Sequence, residues 1–238
     1  MTEELFREDA YARSCEATVT SVNERGGIVL DRTVFYPTGG GQPGDCGVLR
    51  LGDGGEIEIA TTVKGEAPGE IVHVPAEGQS LPDAGITVTA EIDWERRHRL
   101  MRIHTCLHLL SAVLPYPVTG GQISDGKGRL DFDLPEMTMT KEEITERLNA
   151  LVQEGHEVTP TWISDDDLTA QPDLVKTMAV KPPMGQGRVR LIEVAGCDLQ
   201  PCGGTHVRNT AEIGGVMVRK IEKKGRQNRR VQIVFADE

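Results

Sequence analysis

Near residue 93 the hydrophobic period of the chain changes, and that change limits it to a β-rich part followed by a mixed one. Up to about residue 92, short runs rich in β-branched residues recur at 17–22, 27–30, 56–63, 70–74 and 86–92. Gly, Pro, Asn and Asp separate them at close intervals, the pattern of an all-β module. A small antiparallel barrel is the expected solution, because closure leaves no exposed edge strand. From Asp93, a plausible N-cap, to Pro115 the period becomes helical: Leu100, Ile103, Leu107, Leu110 and Leu114 form one stripe. Met101, His104, His108 and Ser111 form the stripe beside it.

The remainder alternates strands and helices. Leu130, Phe132 and Leu134 alternate with charged residues as in a half-buried strand. Thr140 and Glu143 form a capping box for a helix that ends at Gly155. A short helix is expected over 164–170, and strands over 189–194, 216–221 and 231–235. The fold class read from this order is α+β, with a barrel domain at 1–92 and an α+β domain at 93–238.

Composition narrows the setting. A hydrophobic fraction of 38% and a mean hydropathy of -0.31 describe an ordinary globular chain. No apolar run approaches the roughly 20 residues that span a bilayer, and the acidic N-terminus lacks the pattern of a secretory signal. Five irregularly spaced cysteines argue against a disulfide framework and for a reducing cytoplasm. The net charge of -11 runs against a nucleic-acid partner. Two basic clusters interrupt it: Arg96, Arg97, Arg99 and Arg102 on the helix, and seven basic residues between 219 and 230 against the single acid Glu222.

Two short motifs carry metal chemistry. His104 and His108 lie one helical turn apart, so both imidazoles can reach one ion. Cys202 and His206 flank Gly203-Gly204-Thr205, where glycines permit a turn tight enough for thiol and imidazole to converge. Together they supply the donors of a tetrahedral zinc site. Cys197 is a substitute ligand of lower rank, and Cys106 points away from both histidines. A His-Glu-x-x-His protease is disfavoured, because Thr105 stands where its glutamate base would be. Whether three or four side chains hold the ion is left open by the sequence.

A third motif is Thr38-Gly39-Gly40-Gly41-Gln42-Pro43-Gly44-Asp45. It is no P-loop, since no Lys-Ser or Lys-Thr pair follows. Its glycines allow close backbone approach to a ligand, and Gln42 offers both donor and acceptor. Gly120-Gly121-Gln122 repeats that chemistry on the loop expected after the helix, from which Gln122 could reach a metal pocket.

The segments DRTVFYPTGGGQPGDCGVL, RIHTCLHLL, TGGQISDGKGRLDFDL and IEVAGCDLQPCGGTHVRNTAEIGG resemble, in that order, the editing region of alanyl-tRNA synthetase. They resemble still more its free-standing relatives, the AlaX-type alanyl-tRNA editing proteins, over about residues 16–235. The resemblance implies zinc at His104, His108, Cys202 and His206, and an editing pocket to which Gly39, Gly40, Gly41, Gln42 and Gln122 belong. It implies hydrolysis of seryl, and in some members glycyl, esters of alanine tRNA. The expected partner is therefore mischarged alanine tRNA, with neither a membrane nor a stable protein partner. Thr38, Gln42 and Gln122 are the candidate readers of the seryl hydroxyl. Two other readings share the motifs: a hydrolase of another aminoacyl ester, and a tRNA-binding zinc module without turnover.

Overall fold

β-branched residues dominate the first ninety or so positions, and in the computed structural model, which describes residues 1–176 and 187–237, they close a barrel. In chain order the strands are β1 (Glu3–Glu4), β2 (Ser14–Val22), β3 (Ile28–Leu30), β4 (Arg32–Thr33), β5 (Gly47–Leu51), β6 (Glu56–Lys64), β7 (Ile71–Pro75) and β8 (Thr87–Ile92). The barrel runs β2–β3–β7–β6–β5–β8, antiparallel throughout, while β1 and β4 form a small parallel pair. Val19, Ile28, Leu49, Ile57, Ile59 and Val88 fill it, from strands that alternate inward apolar and outward polar residues. The pairs of β1 and β4, and the five residues of β5, are too short to display that alternation in the sequence.

The helix α1 (Trp94–Val113) follows, and Asp93 caps it by accepting Arg96 N–H at 3.0 Å. The chain divides into two compact units, Met1–His98 and Arg99–Glu238, so the division falls inside α1 rather than before it. A buried ion pair accounts for this. Arg97, wholly buried on the first turn of α1, holds the Asp45 carboxylate through Nε at 2.9 and 3.0 Å. It also donates to Val34 O at 2.7 Å and Ala10 O at 3.0 Å. Asp45 accepts the Tyr36 amide at 2.6 Å besides. All three guanidinium nitrogens and both carboxylate oxygens thus have hydrogen-bond partners, the condition under which a buried ion pair is tolerated.

The second unit continues with β9 (Val118–Ser124), β10 (Lys127–Asp133), α2 (Lys141–Glu154), β11 (Val158–Ser164), α3 (Asp165–Ala170), β12 (Arg188–Val194), β13 (Asp198–Pro201), β14 (Val216–Lys223) and β15 (Asn228–Phe235). One sheet runs β14–β15–β10–β9 and a smaller one β11–β12–β13, so the α+β class holds. The capping box at Thr140 and Glu143 forms, and α2 ends at Gly155 in the left-handed conformation. The side chains of Asn149 and Thr145 bond Val216 and Val218 backbone groups, which occupies the free edge of β14. α1 lies directly on β10: a Cβ at Gly128 would fall 2.7 Å from Ile103 and 3.3 Å from Leu107. The 120–122 segment is strand β9, not the loop its glycines imply, because pairing with β10 overrides their weak strand propensity. No helix among the described residues is long and apolar enough to cross a membrane.

His73 on β7 is buried in the barrel unit, with Nε2 2.8 Å from Thr33 Oγ1 and Nδ1 3.1 Å from Ile28 O. Burial pushes its pKa down to about 4. The unfolded chain therefore takes up a proton near the ordinary 6.5 while the folded chain does not. Stability is full above about pH 6.5 and falls as pH drops towards 4, by about 3 kcal/mol from this group. Denaturant unfolding of wild type and His73→Gln across that window should show a shallower pH slope for the variant. Asp45→Ala, which strands Arg97, should lower the stability of the barrel unit by about 3–5 kcal/mol.

Candidate metal centre

Three elements bring four donor groups together. α1 supplies His104 and His108 from successive turns. β13 delivers Cys202 just past its end, and the turn after it returns His206. The donor atoms of His104, His108, Cys202 and His206 all lie within 4.8 Å of one another. Cys202 Sγ stands 3.5 Å from His104 Nε2 and 3.2 Å from His206 Nε2. The ring centroids are 4.2 Å apart for His104 and His206, and 4.7 Å for His108 and His206.

The electrostatics are those of a cation site. Burial alone would raise the Cys202 thiol, but the imidazoles of His104 and His206 hold it well below its ordinary value. Burial and the neighbouring His104 push His206 well below its own, which keeps it neutral and able to donate a lone pair. Three imidazoles and a thiolate fit a borderline-soft divalent ion in tetrahedral coordination.

The orientation of two rings is set from behind. Asp198 Oδ2 lies 2.8 Å from His108 Nδ1, and Thr105 Oγ1 lies 3.1 Å from His206 Nδ1. A proton on each Nδ1 leaves Nε2 free for an ion, the arrangement that carboxylate and hydroxyl partners impose on ligating histidines. Asp198 is held in turn by Gln200 Nε2 at 2.8 Å and by Lys176 Nζ. Burial opposes its ionisation, but His108 and Lys176 bring its pKa down to about 2. For His108, burial is likewise outweighed by Asp198, and its pKa rises to about 9. Arg190 on β12 donates 2.9 Å bonds to both Cys202 O and Gly204 O, fixing the turn between the two ligands.

None of Asp198, Thr105, Gln200 or Arg190 follows from the ligand motifs. A signal for two of them is present: Asp198 and Gln200 share the buried face of β13, and Cys202 continues their alternation just past the strand's end. Cys197 stands outside the cluster and Cys106 is wholly buried, where desolvation pushes its thiol up to about 12.

The other sequence-derived residues lie elsewhere. Gln122 is exposed on β9 opposite Arg129, whose Nε donates to its carbonyl at 3.2 Å. Arg129 alternates with Gly128, which faces α1, so Gln122 occupies the sheet face turned away from the helix that carries the histidines. In the barrel unit, Gly39 and Gln42 exchange backbone hydrogen bonds of 3.0 and 2.9 Å around Gly40 and Gly41. Those two have φ of 56° and 82°, a type I′ turn that side-chain-bearing residues adopt only with strain. Tyr36 Oη donates to Gly39 O at 2.8 Å. Thr38 Oγ1 donates to Thr62 O at 3.2 Å and accepts Gly44 N–H at 2.8 Å. Gln42 is wholly buried, so its side chain supports the turn from within, while Thr38, Gly40 and Gly41 are exposed.

Known proteins with the same sequence pattern identify the setting. A 37% identical relative, the alanyl-tRNA editing protein AlaX-M of Methanosarcina acetivorans, aligns over 100% of this chain and 100% of its own length. The chain belongs to the AlaX-M family of alanyl-tRNA editing proteins. The family's member from Saccharolobus solfataricus is 36% identical over 97% of this chain and 98% of its own. The alanine–tRNA ligase of Metallosphaera sedula is 37% identical over 93% of this chain, which corresponds to 25% of that enzyme. The profile of the threonyl and alanyl tRNA synthetase second additional domain matches residues 189–232, which include Cys202 and His206. A class II tRNA synthetase profile matches residues 8–96, which include the glycine turn.

Removing the support behind His108 should weaken metal binding before it disturbs the fold. Chelator competition on Asp198→Asn should give about 10–100-fold lower affinity for a divalent ion, with secondary structure unchanged. Unchanged affinity would mean that Asp198 does not orient His108.

Proposed function

We propose that this protein is a zinc-dependent aminoacyl-tRNA deacylase that acts in trans on alanine tRNA charged with serine. The observation that carries this reading is the convergence of His104, His108, Cys202 and His206 in a chain that matches alanyl-tRNA editing proteins from end to end. The bond to be broken is an ester between an amino acid and a ribose hydroxyl. Water adds to its carbonyl carbon, and the ribose oxygen leaves with a proton. Such a reaction is already downhill, so positioning and stabilisation of the developing oxyanion are what the enzyme must add.

A zinc ion held by the four side chains would supply Lewis-acid polarisation or an anchoring point for the substrate's amino acid. The chain's own residues do the rest. Asp198 and Thr105 engage Nδ1 of His108 and His206, which leaves each Nε2 available to hold such an ion, and Arg190 fixes the turn that carries Cys202. Discrimination is a separate task. Serine differs from alanine by one hydroxyl, and a polar group placed to bond it is left unpaired by alanine. Thr38 Oγ1 already donates one bond and accepts one, and its remaining lone pair can accept the seryl hydroxyl proton. The exposed turn of Gly39, Gly40 and Gly41 offers backbone groups beside it. Gln42 is assigned a supporting part beneath that turn, and Gln122 no part at the metal.

Deacylation of seryl-, glycyl- and alanyl-charged alanine tRNA should show rapid loss of serine, alanine spared, and activity abolished by chelation and restored by zinc. His104→Ala and Cys202→Ala should each lower kcat/KM by at least about 100-fold, which corresponds to about 3 kcal/mol of transition-state stabilisation. Full activity in metal-free protein would overturn the reading. Thr38→Val should narrow the preference for serine over alanine, while Thr38→Ser, which keeps the hydroxyl, should retain it.

A further inference from the structure

The two basic clusters of the sequence meet different fates in the fold. On α1 the guanidinium groups bind the chain to itself: Arg96 donates to Gly44 O, Arg97 is buried on Asp45, Arg99 pairs with Asp125 and Arg102 donates to Ile213 O. In the β14–β15 hairpin only part of the cluster does so: Arg230 pairs with Asp131, Lys220 and Lys224 pair with Glu222, and Arg229 donates to Asn228 O. Arg219, Lys223 and Arg226 are exposed and, among the described residues, form no ion pair. We propose that this hairpin, with the outward face of the sheet it belongs to, is the surface that docks the phosphate backbone of the tRNA, an inference that rests on the editing reading above.

The register of the sheet builds that face. One row across it reads Gln122, Arg129, Gln232 and Lys220, and the next reads Gly120, Asp131, Arg230 and Glu222. The opposite face carries the buried Leu130, Phe132, Val231 and Ile233. Three carboxylates stand on the outward face: Asp133 shares it with Lys127, and Asp131 and Glu222 are each shared by two cations. Asp131 is held by Arg129 at 2.7 Å and by Arg230 at 2.7 and 2.9 Å. Glu222 is held by Lys220 at 2.9 Å and Lys224 at 3.7 Å. The acids therefore orient the basic groups without neutralising them, and the face stays positive. At its end the hairpin tip opens a cleft of about 690 Å³ lined by Pro135, Lys224, Gly225, Arg226, Gln227 and Asn228.

Charge complementarity selects the occupant. A chain of net charge -11 repels a polyanion over most of its surface, so RNA can settle only where the local field is reversed. Exposed Lys and Arg on a solvated sheet, with the amide of Gln122 at its edge, suit phosphate and ribose oxygens rather than an apolar partner. Such contacts contribute to affinity and register, not to the chemical step.

The test compares wild type with Lys220→Glu/Arg226→Glu in deacylation of seryl-tRNA across a salt series, and in binding of uncharged tRNA. Arg25→Glu/Lys141→Glu, two exposed positions elsewhere, carries the same change of net charge as a control. The hairpin variant should raise KM by about tenfold or more at low salt with kcat nearly unchanged. Its plot of log(kcat/KM) against log salt should be shallower by about 1–2, and the control should match wild type. An equal loss in hairpin variant and control, or wild-type KM and salt slope in the hairpin variant, overturns the docking surface while editing stands. Wild-type protein that leaves seryl-tRNA intact overturns the editing reading instead, and the docking surface falls with it.

Discussion

Three buried imidazoles and a half-buried thiol, with their donor atoms within 4.8 Å of one another, are the constraint around which the second unit is organised. Buried polar groups are costly unless they are paired, and like-charged imidazoles a few ångströms apart cannot all be protonated. The neutral His206 ring and the depressed Cys202 thiol leave lone pairs that a cation satisfies better than any side chain could. The surrounding residues follow from that demand. Asp198, Gln200 and Lys176 form a chain of bonds behind His108; Thr105 stands behind His206; Arg190 pins the carbonyls of the turn between Cys202 and His206.

The barrel unit is organised by a different buried charge. Arg97 and Asp45 join the first turn of α1 to the segment after the glycine turn, and Tyr36 ties both ends of that segment through its amide and hydroxyl. Much of the glycine motif is accordingly explained by backbone geometry: two positive φ angles and a buried Gln42 beneath them. What the fold leaves at the surface is narrower, namely the Thr38 hydroxyl and the amides of the turn, and these are the groups available to a ligand.

The sequence was most legible where periodicity ran long. The helical stripe of α1, the capping box of α2 and the alternation in β6 and β10 all translate directly into the observed elements, and the two short motifs taken together point to the four donor groups that the fold brings within 4.8 Å of one another. It was least legible where tertiary contacts decide. The glycines of 120–122 read as a loop, but pairing with β10 makes them a strand and turns Gln122 away from α1. The run of arginines at 96–102 stands out in the sequence as a basic cluster, but Arg97 is buried and its neighbours bond backbone carbonyls and a carboxylate. No local pattern distinguishes those arginines from the ones in the hairpin. Only the position of their partners does, and Asp45 and Ile213 are far from them in sequence.

The central claim is that these four side chains hold one ion together. X-ray absorption at the metal edge of protein purified without added metal tests it most directly. A shell combining nitrogen at about 2.0–2.1 Å with a single sulfur at about 2.3 Å, the sulfur lost in Cys202→Ala, is the result expected. A purified protein without bound metal, or a shell of light atoms alone with no sulfur, would contradict it.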